Sequence, residues 1–124
     1  SFKDKISLNA ITFKYINSSD NALNNLSLQI KKGDFFGIVG ESGSGKSTLI
    51  NLICGLLNPS SGNILVDNQP ITENLTGWQN NIGYVGQKTF LMDTSILNNI
   101  AYGQTEEQIN NVKIKLNTKN FHHF

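Results

Sequence analysis

The sequence predicts a mixed α/β fold, and three features of the chain indicate it. Residues 6–15, ISLNAITFKY, alternate between apolar and polar side chains, as a half-buried β-strand does. Residues 35–40, FFGIVG, form a short continuous apolar run that is typical of a strand buried on both faces. That run leads through glycines into residues 46–57, KSTLINLICGLL, whose apolar positions recur at helical spacing. With 124 residues, the chain is long enough for one ordinary domain or part of one.

Weaker local signals predict the elements around this core. Residues 16–23, INSSDNAL, are a predicted turn, and residues 26–30, LSLQI, alternate like a second half-buried strand. The Asn-Pro pair at 58–59 is the expected end of the helix. Asp67 and Asn68 lie between short apolar flanks, which predicts a tight hairpin.

The C-terminal third of the sequence predicts one further strand and two helices. Residues 81–87, NIGYVGQ, read as another short buried strand. Residues 94–103, TSILNNIAYG, and residues 105–117, TEEQINNVKIKLN, are predicted helices. Thr105 is the expected N-cap of the second helix, because two glutamates follow it in the first turn.

Composition and charge restrict the class of partner. A net charge of +1 provides no field that would attract nucleic acid or anionic lipid, so we expect no nucleic-acid partner. The sequence has no apolar run long enough to cross a membrane, and its first ten residues have no apolar stretch after a basic one, so we expect neither a membrane span nor a signal peptide in it. Its one cysteine, Cys54, lies in an apolar helical run and is expected to be a buried structural thiol in a reducing compartment. Because residue 1 is Ser rather than Met, and the last residues contain no terminating signal such as a helix cap, we expect the sequence to be truncated at both ends.

The stretch GESGSGKS, residues 40–47, fits the phosphate-binding pattern G-x-x-x-x-G-K-[ST]. A chance match in a glycine-rich turn is the alternative, but a predicted strand precedes the motif and an amphipathic helix follows it, as a P-loop requires. Backbone amides of the loop and the positive end of the helix dipole are expected to bind phosphate. The amides are assigned to Gly43, Ser44, Gly45 and Lys46, and the full candidate nucleotide-binding set in the loop is Gly40, Ser42, Gly43, Ser44, Gly45, Lys46, Ser47 and Thr48.

Three side chains of the loop have predicted roles. Lys46 is expected to pair with the β and γ phosphates, and the hydroxyl of Ser47 is a hard oxygen ligand suited to Mg²⁺. Thr48 is a second, weaker candidate phosphate donor. A P-loop alone does not distinguish kinases, GTPases and transport ATPases, since all of them use one.

Two longer stretches resemble one P-loop family almost end to end. Residues 13–71, which begin FKYINSSD and end DNQPI, are similar to the N-terminal half of the nucleotide-binding domain of ABC transporters. Residues 82–103, IGYVGQKTFLMDTSILNNIAYG, resemble the Q-loop segment of the same family and are more like exporters than importers. The resemblance implies that residues 1–124 form the N-terminal part of such a domain. The fold would be a partial P-loop NTPase core with an N-terminal antiparallel β subdomain.

The resemblance also implies ligands and partners. ATP and Mg²⁺ would bind at the loop, and a second nucleotide-binding domain and the transmembrane domains of a transporter would be the protein partners. The chain would then work at the cytoplasmic face of a membrane without a membrane span of its own. Transported substrate, direction of transport and membrane-domain architecture do not follow from these residues.

Residues outside the loop gain roles only through the resemblance. Tyr15 corresponds to the aromatic residue that stacks on adenine, and alternation is expected to turn the competing Phe13 to the same face. Gln87 corresponds to the Q-loop glutamine that approaches Mg²⁺ and the attacking water. The candidate catalytic residues are therefore Gln87 and Lys46. The candidate metal ligands are Ser47 and Gln87. Gly86 replaces the usual proline, which predicts a looser loop. The alternative interpretations are that Tyr15 is an exposed tyrosine of a strand and that Gln87 is a polar residue after a buried strand.

Phe90, Leu91 and Met92 are candidates for contact with the membrane domains, with ordinary core packing as the alternative. His122 and His123 precede the region where the family has its switch histidine and are expected to be surface residues. Asp67 is interpreted as part of a hairpin and not as a metal ligand.

The sequence contains no LSGGQ signature, no Walker B aspartate with its adjoining glutamate, and no switch histidine. Because hydrolysis in the family needs these groups, the chain alone is not expected to turn over ATP. The favoured hypothesis is therefore a piece of an ATP-hydrolysing ABC transporter. The alternatives are an ATP-binding module without chemistry and a soluble ABC-type ATPase that is not a transporter.

Overall fold

A computed structural model describes residues 2–87, 91–100, 102–108 and 110. They fall into two compact units, Ser1–Gly83 and Tyr84–Phe124. The first unit contains a four-stranded sheet in the order β2-β1-β3-β4, in which every neighbouring pair is antiparallel. Its strands are β1 (Lys5–Phe13), β2 (Leu23–Lys31), β3 (Ser61–Val66) and β4 (Gln69–Pro70). The mixed α/β class and the antiparallel β subdomain are thus confirmed.

The pairing of strands β1 and β2 contains two irregularities that the sequence does not predict. Register shifts occur on both sides of Ile11, and Ala10 and Asn25 each have a φ of 50°. Hydroxyl groups satisfy the displaced backbone amides: the Ala10 amide donates to Ser27 Oγ at 2.9 Å, and the Asn25 amide donates to Thr12 Oγ1 at 3.0 Å. These bulges bend β1 shortly before it reaches Phe13 and the turn beyond it.

One group of buried apolar side chains joins the sheet to the helices of the first unit. Helix α1 spans Lys46–Ile53 and helix α2 spans Leu75–Gln79, with a 3₁₀ turn at Ile71–Asn74 before α2. The most deeply buried side chains are Leu8, Ile11 and Leu52. The whole group consists of Ile6, Leu8, Ile11, Phe13, Leu49, Leu52, Ile64, Ile71 and Trp78.

Helix α1 ends earlier than predicted, and the expected stop at 58–59 is wrong. Gly55 has a φ of 68°, and the Leu56 amide donates to the Asn51 carbonyl at 2.8 Å. A glycine in the left-handed region with this long return bond is the Schellman ending of a helix. The glycine therefore stops the helix before the Asn-Pro pair is reached.

The predicted hairpin at Asp67 and Asn68 is confirmed. Both residues have positive φ, 51° and 67°, which is the type I′ turn that suits the twist of paired strands. The Asp67 carboxylate accepts hydrogen bonds from the amides of Lys3, Asp4 and Lys5, at 2.8, 2.7 and 3.1 Å. The side chain thus ties the N-terminal segment to the hairpin.

The two predicted buried strands at 35–40 and 81–87 are wrong for the described structure. Neither stretch is a strand, and Phe35 and Val39 are fully exposed. A strand buried on both faces needs hydrogen-bonding neighbours, and the four strands of the described sheet pair only with one another. An apolar run signals burial, but it does not supply the partner strand.

In the second unit, helix α3 spans Ile96–Ile100, which is shorter than the predicted helix at 94–103. The side chain of Asn99 accepts a hydrogen bond from the Met92 amide at 2.8 Å, which connects the preceding segment to this helix. No helix within the described ranges is long and apolar enough to cross a membrane.

The predicted cap at Thr105 is confirmed. Its amide donates to Gln108 Oε1 at 2.9 Å, while the Gln108 amide donates to Thr105 Oγ1 at 3.4 Å, which is the reciprocal pattern of a capping box. The rest of the predicted helix beyond residue 110, together with His122 and His123, lies outside the described residues.

Candidate functional site

The glycine loop meets the start of helix α1 at two glycines whose backbone is left-handed. Gly45 is the N-cap, with φ 88° and ψ 3°, and it makes no side-chain capping bond. Gly43 also has a positive φ, 81°. A Cβ atom at residue 45 would lie 2.5 Å from the Ala22 carbonyl oxygen, so this position tolerates only glycine on both conformational and steric grounds.

Helix α1 presents the positive end of its dipole at the loop. The first amides of any helix have no intrahelical partner, and the first turn of α1 contains no acidic residue. The Ser44 amide, one of the predicted phosphate donors, instead donates to the Glu41 carbonyl at 3.2 Å. Ser47 lies in the first turn with its side chain exposed, so its hydroxyl is accessible to a ligand at the loop.

The ammonium group of Lys46 lies over the loop. Its Nζ donates to the Gly40 carbonyl oxygen at 2.7 Å, to the Glu41 carbonyl oxygen at 2.5 Å and to Ser44 Oγ at 3.3 Å. A Cβ atom at residue 40 would lie 2.6 Å from Ser44 Oγ, so the glycine permits this close approach. The loop thus concentrates a cation at the end of the helix that favours anions.

Tyr15 contacts the same helix. Its hydroxyl lies 2.9 Å from Thr48 Oγ1, and Thr48 is buried while Tyr15 is 45% exposed. Strand β1 ends at Phe13, which lies in the core, and Tyr15 follows just beyond the strand; the two rings lie on the same side of the chain, as predicted. The two rings meet edge to face with their centroids 4.9 Å apart.

A cavity of about 450 Å³ brings Tyr15 together with the loop. Its lining includes Ser42, Gly43, Gly45, Lys46, Ser47 and Thr48 from the predicted set. Ser18, Asp20, Asn21 and Ala22 from the turn also line it. The sequence predicts only a turn for these four residues, although their position shortly after Tyr15 in the chain is a usable signal for a place in the site.

The second unit contains the other predicted site residues. Gln87 lies at a bend with its side chain exposed, and Leu91 is also exposed, whereas Met92 is half-buried. Phe90 lies outside the described residues. The roles of these residues stay predictions.

The donor set fits a magnesium ion that is bound mainly through a nucleotide. The described part of the chain contains no group of three or more His, Cys, Asp or Glu side chains arranged to hold a metal. Mg²⁺ is commonly held by one or two protein oxygens together with substrate phosphates. The exposed hydroxyl of Ser47 at the start of α1 is suited to that arrangement.

Comparison with known proteins identifies one family. The family model described as ABC transporter matches residues 23–124. An ATP-dependent lipid A-core flippase of Coxiella burnetii is 44% identical over 100 residues, which cover 80% of this chain and 17% of the flippase. The energy-coupling factor transporter ATP-binding protein EcfA1 of Mycoplasmopsis synoviae is 39% identical over 108 residues, covering 84% of this chain and 41% of that protein.

A solved structure shows the same relationship in three dimensions. The structure of a bacterial Atm1-family ABC exporter with ATP bound superposes with a TM-score of 0.74 at 33% sequence identity. The match covers 83% of this chain and 18% of the exporter chain. This chain therefore spans about a fifth of the length of the exporter and less than half of either curated relative.

Proposed function

The chain belongs to the ABC transporter family, and from that premise we propose that it binds ATP with Mg²⁺ as the N-terminal part of a transporter's nucleotide-binding domain. The observation that carries the proposal is the cavity in which Tyr15 and the glycine loop meet. The cavity combines an aromatic ring for a base with a cation and a helix start for phosphates. The likeness to an exporter with ATP bound supports the same assignment.

Each group of residues has a proposed task in binding. The loop amides around Gly43 and Gly45, together with the Lys46 ammonium, bind the phosphates, and Lys46 leaves its carbonyl partners to do so. The Ser47 hydroxyl coordinates the metal, which supplies charge neutralisation at the phosphates when it is bound. Tyr15 stacks against the base, a contact that tolerates any base and strengthens affinity more than selectivity.

Hydrolysis and transport are proposed for the longer protein. Gln87 is the proposed residue that orients the attacking water and communicates with the membrane domains. A second nucleotide-binding domain completes the site, so the assembly is a symmetric or pseudo-symmetric pair at the cytoplasmic face of a membrane. The 124 residues contain no LSGGQ signature and no Walker B aspartate-glutamate pair, so we propose that this chain alone binds ATP without turnover.

A titration with a fluorescent ATP analogue in the presence of Mg²⁺ tests the proposal. We expect saturable binding by the wild-type chain, and loss of binding in Lys46→Ala because the ammonium is removed from the loop. Lys32→Ala is the matched control, since Lys32 is an exposed lysine outside the cavity. Saturable binding that survives Lys46→Ala while Mg²⁺ is present would contradict the assignment of the loop.

A further inference from the structure

The contact between Tyr15 and Thr48 joins two segments of the candidate site that are distant in the sequence. Thr48 lies in the first turn of helix α1, and its side chain is only 5% exposed. The 2.9 Å separation between its Oγ1 and the Tyr15 hydroxyl satisfies a buried polar group that would otherwise be costly. The same contact places the tyrosine beside the helix that carries the phosphate loop.

The Tyr15 ring is held at a second point by Phe13. The two rings meet at 90° with centroids 4.9 Å apart, and Phe13 is part of the buried core. The ring is therefore fixed at its hydroxyl and through its edge-to-face contact. Tyr15 remains 45% exposed and lines the cavity shared with the loop.

We infer that Thr48 is a positioning residue for the nucleotide base, because its hydroxyl fixes the Tyr15 ring at a set distance from the phosphate loop. The inference rests on the proposed ATP-binding function and replaces the predicted role of Thr48 as a phosphate donor. Thr48 borders the cavity, but its side chain is only 5% exposed and its hydroxyl already contacts the Tyr15 hydroxyl, so we assign Tyr15 and not a phosphate as its partner. A ring that is fixed before binding loses less freedom when the base stacks on it.

Calorimetric titration with Mg-ATP and with Mg-tripolyphosphate tests this role, since the second ligand has no base. We expect Thr48→Val to weaken Mg-ATP binding about two- to ten-fold, the effect of one hydrogen bond, and to leave tripolyphosphate binding unchanged. Tyr15→Phe should have the same effect, and the double variant should be no weaker than either single variant. Thr48→Ser retains the hydroxyl and should bind Mg-ATP like the wild type.

Equal weakening of both ligands by Thr48→Val would overturn the inference and make Thr48 a phosphate ligand. Additive effects in the double variant would also overturn it.

A measurement without nucleotide complements the titration. The NMR signals of the Tyr15 ring, assigned by their loss in Tyr15→Phe, should shift in Thr48→Val and return to their wild-type positions in Thr48→Ser. An unchanged ring signal would contradict the contact. Failure of the wild-type chain to bind Mg-ATP would instead contradict the proposed function, and the ring signal would then decide whether Thr48 holds Tyr15.

Discussion

Trp78 Nε1 donates a 2.7 Å hydrogen bond to the carbonyl oxygen of Ile53, the last residue of helix α1. The indole thus satisfies one of the carbonyls that a helix leaves unpaired at its C-terminus. It also contributes its ring to the core, where it meets Phe2 edge to face at 6.0 Å. Helix α2 therefore supports the helix whose other end forms the candidate site.

Trp78→Phe should lower the free energy of unfolding by about 1–3 kcal/mol, because the Ile53 carbonyl loses its partner and the smaller ring fills less of the core. Urea denaturation followed by circular dichroism measures the change, since Trp78 is the only tryptophan and its fluorescence is lost in the variant. Tyr84→Phe, at a side chain that is 62% exposed, is the control for an aromatic substitution. A stability equal to that of the wild type would show that the indole bond contributes nothing.

Gly45→Ala should destabilise the chain more than Gly43→Ala. Both residues have a left-handed backbone, which costs an alanine about 1–2 kcal/mol. The new methyl group at residue 45 would also lie 2.5 Å from the Ala22 carbonyl oxygen and 2.9 Å from Leu23 Cδ2, whereas nothing lies within 4 Å of one at residue 43. The difference between the two unfolding free energies isolates the steric contact. Equal losses in the two variants would contradict it.

Structural features that depend only on residues close together in the sequence could be predicted. The turn at Asp67 and Asn68 and the capping box of Thr105 with Gln108 depend on residues only a few positions apart, and the structure contains both. The glycine loop before helix α1 belongs to the same class, because the loop pattern fixes where the helix starts.

Features that depend on distant partners could not be predicted. The apolar run at 35–40 indicates burial, but strand formation needs a neighbouring strand that the run itself does not specify. The bond from Trp78 to Ile53 spans 25 positions and has no local signature. The Tyr15–Thr48 contact spans 33 positions, and the resemblance to a family suggested a base-stacking role for Tyr15 without indicating this hydroxyl pair.

Asp67→Asn should destabilise the chain in a pH-dependent way. Partial burial acts to raise the pKa of the Asp67 carboxyl, but the amide hydrogen bonds from Asp4, Lys3 and Lys5 and the charge of Lys3 outweigh it and lower the pKa. A lowered folded-state pKa means that the carboxylate stabilises the fold fully above its unfolded-state value of about 3.9, and that this stabilisation is lost as the pH falls through the folded-state pKa.

The stability difference between wild type and Asp67→Asn should therefore be largest near neutral pH and should shrink as the pH falls below about 4. Thermal unfolding at several pH values measures it, with Asp93→Asn at an exposed aspartate as the control. A difference that stays constant down to acid pH would show that the charge of Asp67 is not what the three amides recognise.

Cys54 should react with a thiol reagent only when helix α1 loosens from its neighbours. Burial raises the pKa of the Cys54 thiol, so less thiolate is present at neutral pH, and the side chain is only 9% exposed. Because Cys54 is the only cysteine, labelling with a maleimide reports this position alone. We expect slow labelling in buffer and a steep increase in rate through the urea unfolding transition.

The matched control for this labelling is Leu56→Cys in a Cys54→Ala background, since Leu56 lies two positions further on and is 62% exposed. That thiol should label at a rate close to that of a free cysteine and change little with urea. Similar rates at the two positions in buffer would mean that the C-terminal end of α1 opens readily, and the bond from Trp78 to Ile53 would then not hold it closed. A protected Cys54 that becomes reactive in Trp78→Phe would instead connect the indole directly to the closure of this end of the helix.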